Sequence, residues 1–175
     1  RTIKLLQALA FISTPKGANP IKKKYDLCQK KFLLGQKFLN KGTRTEGVRL
    51  VKQAHQLAVK YDFVHLACEL SSILYHEHVY YNQNKRKAKN YSFLVKRYLN
   101  DYIAEKKAED CLYQIIGEMG KGSIKTEQLQ AIVNRITTLQ GKSIKFDVYK
   151  ATVKILFGLH SGLHELVIQS CTETL

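Results

Sequence analysis

The chain has 175 residues and a formal net charge of +15, with 29 basic and 14 acidic side chains. Hydrophobic residues make up 45% of the sequence, which is typical of a folded soluble domain and excludes a disordered chain. No apolar run reaches the ~20 residues of a membrane helix. P-loop, GxSxG and strand-linked GxGxxG motifs are absent from the sequence, and we expect neither enzymatic activity nor a bound cofactor.

The positive charge is concentrated towards the start of the chain. Residues 1–62 hold 14 basic and 3 acidic side chains, and the rest of the chain holds 15 and 11. A positive electrostatic field concentrated at one end of the chain indicates an acidic partner. Such a partner is nucleic acid, anionic lipid or an acidic protein surface. A basic surface that only improves solubility is the alternative. Because the chain begins at Arg1 and ends in a helical pattern, we expect it to be a fragment of a longer protein.

Apolar residues recur at helical spacing along the whole chain, which predicts an all-α fold with antiparallel neighbouring helices. Residues 1–24 are predicted to form an N-terminal helix and a loop containing Pro15, Gly17 and Pro20, and residues 25–175 to form the main helical-repeat domain. Gly42 is expected to end a helix in the left-handed conformation, and Thr45 to cap the next one. The predicted helices are 3–12, 25–41, 46–61, 63–82, 85–105, 107–119, 125–140, 146–160 and 162–174.

Pairs of helices repeat along residues 25–175. An aromatic–acid pair is predicted to open three helices, at Tyr25–Asp26, Tyr61–Asp62 and Phe146–Asp147, where the helix dipole favours a negative charge. The spacing of the first two pairs, 36 residues, is close to that of a helical repeat.

The pattern of large and small residues in these pairs resembles tetratricopeptide (TPR) repeats. The first pair carries it most fully and the later pairs progressively less, and the helix-ending proline of the family is absent. The resemblance implies about four helix pairs stacked in a right-handed superhelix that acts as a protein-interaction scaffold; an irregular helical bundle is the alternative. The matching residues are Leu34, Gly35, Phe38, Gly47, Val51 and Ala54 in the first pair, then Leu70, Ser71, Leu74, Ala88, Ser92 and Val95, then Ile116, Gly117, Leu156 and Gly158.

Cysteine and histidine spacings fit no metal motif. The four cysteines, Cys28, Cys68, Cys111 and Cys171, form no CxxC pair, and we interpret them as reduced core residues of a cytoplasmic protein. His160 and His164 would share one face of a helix, but Gly162 lies between them and no HExxH motif is present. We therefore predict no metal site and no catalytic residue.

Two groups of basic residues are candidate binding sites. The first follows two stripes on the helices 25–41 and 46–61, which would form one surface if these helices pack as a hairpin: Lys23, Lys30, Lys37, Lys41, Arg49, Lys52 and Lys60. The second combines Lys85, Arg86, Lys87 and Lys89 with the aromatic residues Tyr80 and Tyr81. Basic residues next to exposed aromatic rings can bind single-stranded nucleic acid, whereas Tyr91, Tyr98 and Tyr102 share an apolar face and are expected in the core.

The sequence thus leaves three functions open. The first is an interaction module that binds a peptide or an acidic partner surface, and the second is a helical repeat that binds nucleic acid. The third is a structural domain of a larger protein. No membrane partner is expected, and the oligomeric state is not predicted.

Overall fold

The computed structural model describes residues 19–120 and 126–172, and the predicted helix 3–12 lies outside them. The described residues form α-helices and one π-helical turn, without a strand, which confirms the all-α prediction. The helices are α1 (Pro20–Asn40), α2 (Arg44–Lys60), α3 (Val64–His76), the π-helical turn Glu77–Tyr81, α4 (Lys85–Met119), α5 (Thr126–Thr138), α6 (Ile144–Ser161) and α7 (His164–Thr172).

The chain divides into two compact units, residues 1–99 and 100–175, with the boundary inside α4. In the N-terminal unit α1 packs on α2, and α2 packs on α3. In the C-terminal unit α5 packs on α6, and α6 on α7. Among the described residues, no helix combines the length and the apolar character needed to cross a bilayer.

The contact between α1 and α2 depends on two glycines. A Cβ at Gly35 would lie 2.8 Å from Val51 Cγ2 and 3.2 Å from the Gly47 carbonyl oxygen. A Cβ at Gly47 would lie 2.9 Å from the Leu39 backbone nitrogen and 3.0 Å from the Gly35 carbonyl oxygen. The two backbones therefore approach so closely that only glycine fits, and these small residues occupy the packing positions that the sequence pattern indicates.

Helix ends differ from the sequence prediction where side chains cap the backbone. Helix α1 begins at Pro20 because the Asn19 side chain accepts a hydrogen bond from the Ile21 backbone N–H at 2.9 Å, and the predicted boundary between residues 24 and 25 falls inside it. Helix α2 begins at Arg44, so the expected cap at Thr45 is wrong. Gly42 has the predicted positive φ, +80°.

The predicted aromatic–acid opening holds for one helix only. Asp147 lies in the first turn of α6, whose N-cap Ser143 accepts a hydrogen bond from the Phe146 N–H. Tyr25–Asp26 lies inside α1, and Tyr61–Asp62 lies between α2 and α3. The predictions for these two pairs were wrong because the real helix starts are set by caps and connectors several residues away.

The predicted helices 85–105 and 107–119 are one continuous helix, α4, of 35 residues. The buried positions change phase along it, from Ala88 and Tyr98 to Ala104, Ala108 and Cys111. Such a phase change resembles a helix end in the sequence, but no glycine or proline interrupts the backbone near residue 106. The second set packs with α5 and α6 residues such as Leu129, Ile136, Phe146 and Phe157 in the core of the C-terminal unit.

Two of the four cysteines are buried as predicted. Cys28 and Cys111 lie in the core, Cys68 is partly buried, and Cys171 is exposed near the end of α7. Burial raises the pKa of the Cys28 thiol to about 11, although a backbone hydrogen bond opposes the change. This thiol therefore stays protonated and inert near neutral pH.

Candidate functional site: a basic cleft in the N-terminal unit

An open cleft of about 670 Å³ lies between the first half of α2 and the π-helical turn. Helix α2 contributes three basic side chains to it, the turn contributes an acid and an aromatic ring, and Asn82, directly after the turn, contributes an amide. The cleft therefore combines cations with apolar and hydrogen-bonding groups. Its lining residues are Arg44, Thr45, Val48, Arg49, Lys52, Glu77, Tyr81 and Asn82.

Arg44 is held in place by groups from the π-helical turn. Its Nε donates a hydrogen bond to Glu77 Oε2 at 2.9 Å, and its guanidinium lies over the ring of Tyr81. Partial desolvation lowers the pKa of Arg44, but the hydrogen bond and the charge of Glu77 outweigh it and raise the pKa overall. Asn82 Nδ2 donates to Glu77 Oε1 at 3.1 Å, so both oxygens of this buried carboxylate are bonded.

Replacing Arg44 with alanine should destabilise the N-terminal unit by about 1–3 kcal/mol, because it leaves the buried Glu77 carboxylate without its charged partner. Replacing both residues together, as Arg44→Ala with Glu77→Gln, should recover part of that loss. Chemical unfolding followed by circular dichroism measures both effects. Arg49→Ala is the matched control, and an equal loss in that variant would contradict the expectation.

The other two cations of the cleft are exposed. Arg49 pairs with Glu46 one turn earlier in α2, and this hydrogen bond lowers the pKa of Glu46 and raises that of Arg49. Lys52 has no acidic partner within hydrogen-bond distance among residues 19–120 and 126–172. Exposed pairs of this kind contribute little to stability, so both side chains can rearrange around a ligand.

The two predicted basic stripes do not merge into one surface. At 3.6 residues per turn, Lys23, Lys30, Lys37 and Lys41 lie about 120–160° around α1 from Gly35, which contacts α2. By the same count, Arg49, Lys52 and Lys60 lie about 140–160° around α2 from Gly47, which contacts α1. The stripes therefore point away from each other, and only Arg49 and Lys52 of the predicted set line the cleft.

The second predicted cluster surrounds the start of α4. Lys85, Arg86, Lys87 and Lys89 are all exposed. Tyr80 and Tyr81 are also exposed, and Tyr98 is buried as expected, whereas Tyr91 and Tyr102 are only partly buried. Tyr81 connects this cluster to the cleft because its ring carries the Arg44 guanidinium.

His78 is a buried residue of the π-helical turn. Its ring is buried and stacks on Tyr91, with the centroids 5.6 Å apart and the planes 13° from parallel. Burial lowers the pKa of His78, the nearby charges of Lys52 and Lys87 lower it further, and Glu77 acts in the opposite direction. One lysine from each predicted group thus contributes to the lowered pKa of this buried imidazole.

Sequence reasoning missed Arg44, Thr45, Val48, Glu77 and Asn82. Glu77 carried one usable signal, since it is the one acidic residue in the largely apolar and aromatic segment 70–81. Neither the π-helical turn nor the contact between Glu77 and Arg44, 33 residues apart, follows from periodicity.

The described residues contain no group of three or more histidine, cysteine or acidic side chains placed to hold a metal ion. His160 lies in the last turn of α6, and His164 is the first residue of α7. Gly162, between them, has a left-handed φ of +69°. These two histidines therefore do not share one continuous helical face.

The fold and the cleft define the molecule as an all-helical protein with a basic cleft in its N-terminal unit. Comparisons with models of protein families, with curated proteins and with solved structures found no match in any of the three. Its function is therefore argued from the cleft alone.

Proposed function

We propose that this protein is a helical interaction module that binds an acidic segment of a partner protein in the basic cleft. The observation that carries the proposal is the convergence of Arg44, Arg49 and Lys52 around one open cleft that Val48 and Tyr81 also line. Cations with an apolar and aromatic surface suit a peptide that alternates acidic and apolar side chains. The stacking of the helix pairs as a TPR-like superhelix remains part of this proposal.

The charge pattern of the cleft favours a protein segment over a nucleic-acid backbone. Arg44 already bonds Glu77, and Arg49 already bonds Glu46. A continuous run of phosphates would meet these two carboxylates as well as the cations, whereas a peptide can place its own polar and apolar side chains against them. The exposed pair Arg49–Glu46 is weak enough to exchange for a ligand carboxylate.

Nucleic acid is the second candidate because Tyr80 and Tyr81 are exposed beside Lys85, Arg86 and Lys87. Aromatic rings next to lysines bind single strands by stacking and charge, and such binding weakens steeply with added salt. Nucleic acid would bind at the start of α4. A variant at Lys85 and Arg86 therefore distinguishes nucleic-acid binding there from peptide binding in the cleft.

The test is fluorescence anisotropy with two labelled probes of equal charge, an alternating Glu–Leu peptide and a single-stranded oligonucleotide. We expect the peptide to bind and the double reversal Arg49→Glu with Lys52→Glu to weaken it more than about tenfold, since two attractive charges become repulsive. Lys107→Glu, on the C-terminal half of α4, is the matched single reversal and should change binding less than about twofold.

Four results would overturn the proposal. One is that the peptide does not bind at low salt, and another is that Lys107→Glu weakens binding as much as Arg49→Glu or Lys52→Glu, each made as a single reversal. The third is that the oligonucleotide alone binds and loses affinity in the Lys85→Glu/Arg86→Glu variant, which would favour the nucleic-acid function. Lys37→Glu places the same charge change on the outer stripe of α1, and a loss equal to that of Lys52→Glu would assign the peptide to that stripe instead.

A further inference from the structure

Helix α6 carries apolar side chains on two opposite sides. Its buried residues Phe146, Val153 and Phe157 belong to the core of the C-terminal unit. At 3.6 residues per turn, a second row of apolar or methyl-bearing side chains lies about 120–180° around the helix from these three. This outer row consists of Ile144, Val148, Thr152, Ile155 and Leu159. Helices that are apolar on opposite sides are normally packed on both, so the outer row indicates a second packing partner.

The outer row is open to solvent over most of its length. Ile144 is 68% exposed, Val148 43% and Leu159 57%, and Ile155 is partly buried. Thr152 continues the row, because its Oγ1 donates to the Val148 carbonyl oxygen at 2.8 Å and is thus satisfied within the helix. Helix α5 of the same unit differs, since its exposed positions hold polar side chains or alanine and its leucine, valine and isoleucines are buried.

The outer row has the same chemistry in both chain directions. Val148 and Ile155 are 7 residues apart in the chain, and Ile144 and Leu159 are 15 apart. Both pairs share one midpoint, immediately before Thr152. If a second α6 lies antiparallel across this midpoint, Ile144 of one copy meets Leu159 of the other. Val148 meets Ile155 in the same way, and the smaller Thr152 allows the two helices to approach closely where they cross.

Charges beside the outer row match the same antiparallel arrangement. Asp147 and Lys154 lie on one side of α6, about 20° apart around its axis, and the midpoint of the outer row lies between them. In an antiparallel pair, Asp147 of one copy therefore faces Lys154 of the other, and the twofold axis creates this contact twice. A parallel pair would instead bring each charge against its own copy. The pattern thus selects a second copy in the antiparallel orientation.

We propose that the outer row of α6 binds the outer row of a second copy of this chain, antiparallel and across a twofold axis. This interface belongs to the C-terminal unit, so it goes beyond the proposed function and does not depend on the cleft. The 18 residues of α6 span about 27 Å, and one face of such a helix offers less than the about 800 Å² per partner of a standard interface. The net charge of +15 on each copy also opposes association. We therefore expect a weak, reversible dimer that is strengthened by added salt.

The first test is sedimentation equilibrium of the full chain from about 10 μM to about 1 mM, at about 0.15 M and about 0.5 M NaCl. We expect a monomer–dimer equilibrium whose dissociation constant is lower at the higher salt concentration. Leu159→Gln should raise this constant at least about tenfold, because the twofold axis places the substitution in the interface twice. Ile116→Gln, which changes a comparably exposed residue of α4 in the same unit, is the matched control and should alter it less than about twofold.

A charge-reversal series tests the orientation. Asp147→Lys and Lys154→Asp should each weaken association, since each single variant creates two contacts between like charges. The double variant has the net charge of the parent and restores both contacts with their signs exchanged, so its dissociation constant should return to within about threefold of the parent value. Circular dichroism checks that each variant keeps its helical content.

The proposal is wrong if the chain stays monomeric at about 1 mM at both salt concentrations. It is also wrong if Leu159→Gln and Ile116→Gln weaken the dimer equally, or if the double reversal fails to recover what the single reversals lose. A monomeric chain that still binds the acidic peptide would refute the dimer and leave the proposed function intact.

Discussion

Replacing Gly47 with alanine should lower the free energy of unfolding of the N-terminal unit by about 1–3 kcal/mol, although alanine forms helices better than glycine. The new methyl group would lie 2.9 Å from the Leu39 backbone nitrogen and 3.0 Å from the Gly35 carbonyl oxygen. Backbone atoms cannot turn away as a side chain can, so α1 and α2 would have to separate. The loss of packing along the whole hairpin then exceeds the gain in helix propensity.

Gly117 is also helical, but unlike Gly47 it has room for a side chain. It lies within α4, and a Cβ built there meets nothing within 4 Å. Gly117→Ala should therefore raise the stability of its region by about 0.5–1 kcal/mol, since alanine restricts the unfolded chain and favours the helix. Hydrogen exchange of the amides in α2 and in the last turns of α4 measures each change locally, and a stabilising Gly47→Ala would refute the close approach of α1 and α2.

The glycines also show which features of the fold can be predicted from the local sequence pattern. Gly35 and Gly47 were identified from the order of large and small residues, because two helices that pack closely need small residues at matching places. The division of α4 was predicted wrongly for a related reason. Its apolar residues change phase between Tyr98 and Ala104, and a change of phase in one sequence looks the same whether the helix ends or continues with another face buried.

The candidate site was only partly visible in the sequence because its members come from separate helices. Lys52 and Lys87 were each assigned to a basic group, but nothing in their spacing indicates that the charges of both lower the pKa of His78. Glu77 and Arg44 are 33 positions apart, and the pair depends on how α3 continues into a π-helical turn. Charge runs thus predict which side chains are exposed cations, and tertiary packing decides which of those cations meet.

Acidification should destabilise the N-terminal unit, because the partly buried His55 and the buried His78 have to gain protons when it unfolds. Burial lowers the pKa of His55 from its usual 6.5, and burial together with Lys52 and Lys87 lowers that of His78. His55 is held by a 2.9 Å hydrogen bond to Ser71 Oγ and meets Tyr91 edge-on at 5.8 Å. The two imidazoles thus share Tyr91 as a contact, and charging either one disturbs the same packing.

The direction of the pH effect follows from proton binding. The unfolded chain binds protons at its ordinary histidine pKa, whereas the folded chain resists them until lower pH. Stability is therefore complete above about pH 6.5 and falls as the pH decreases below that value. Unfolding curves between about pH 7.5 and about pH 5, in a buffer without phosphate, should show decreasing stability of the N-terminal unit.

Variants identify the histidines responsible for this loss. His78→Phe keeps an aromatic ring against Tyr91 and removes one titrating group, so its stability should depend less steeply on pH than that of the unchanged protein. His160→Gln removes an exposed histidine at the end of α6, and its pH dependence should match the parent's. If the two variants respond alike, the acid sensitivity arises from groups other than these two imidazoles, and the packing of His55 and His78 around Tyr91 does not control it.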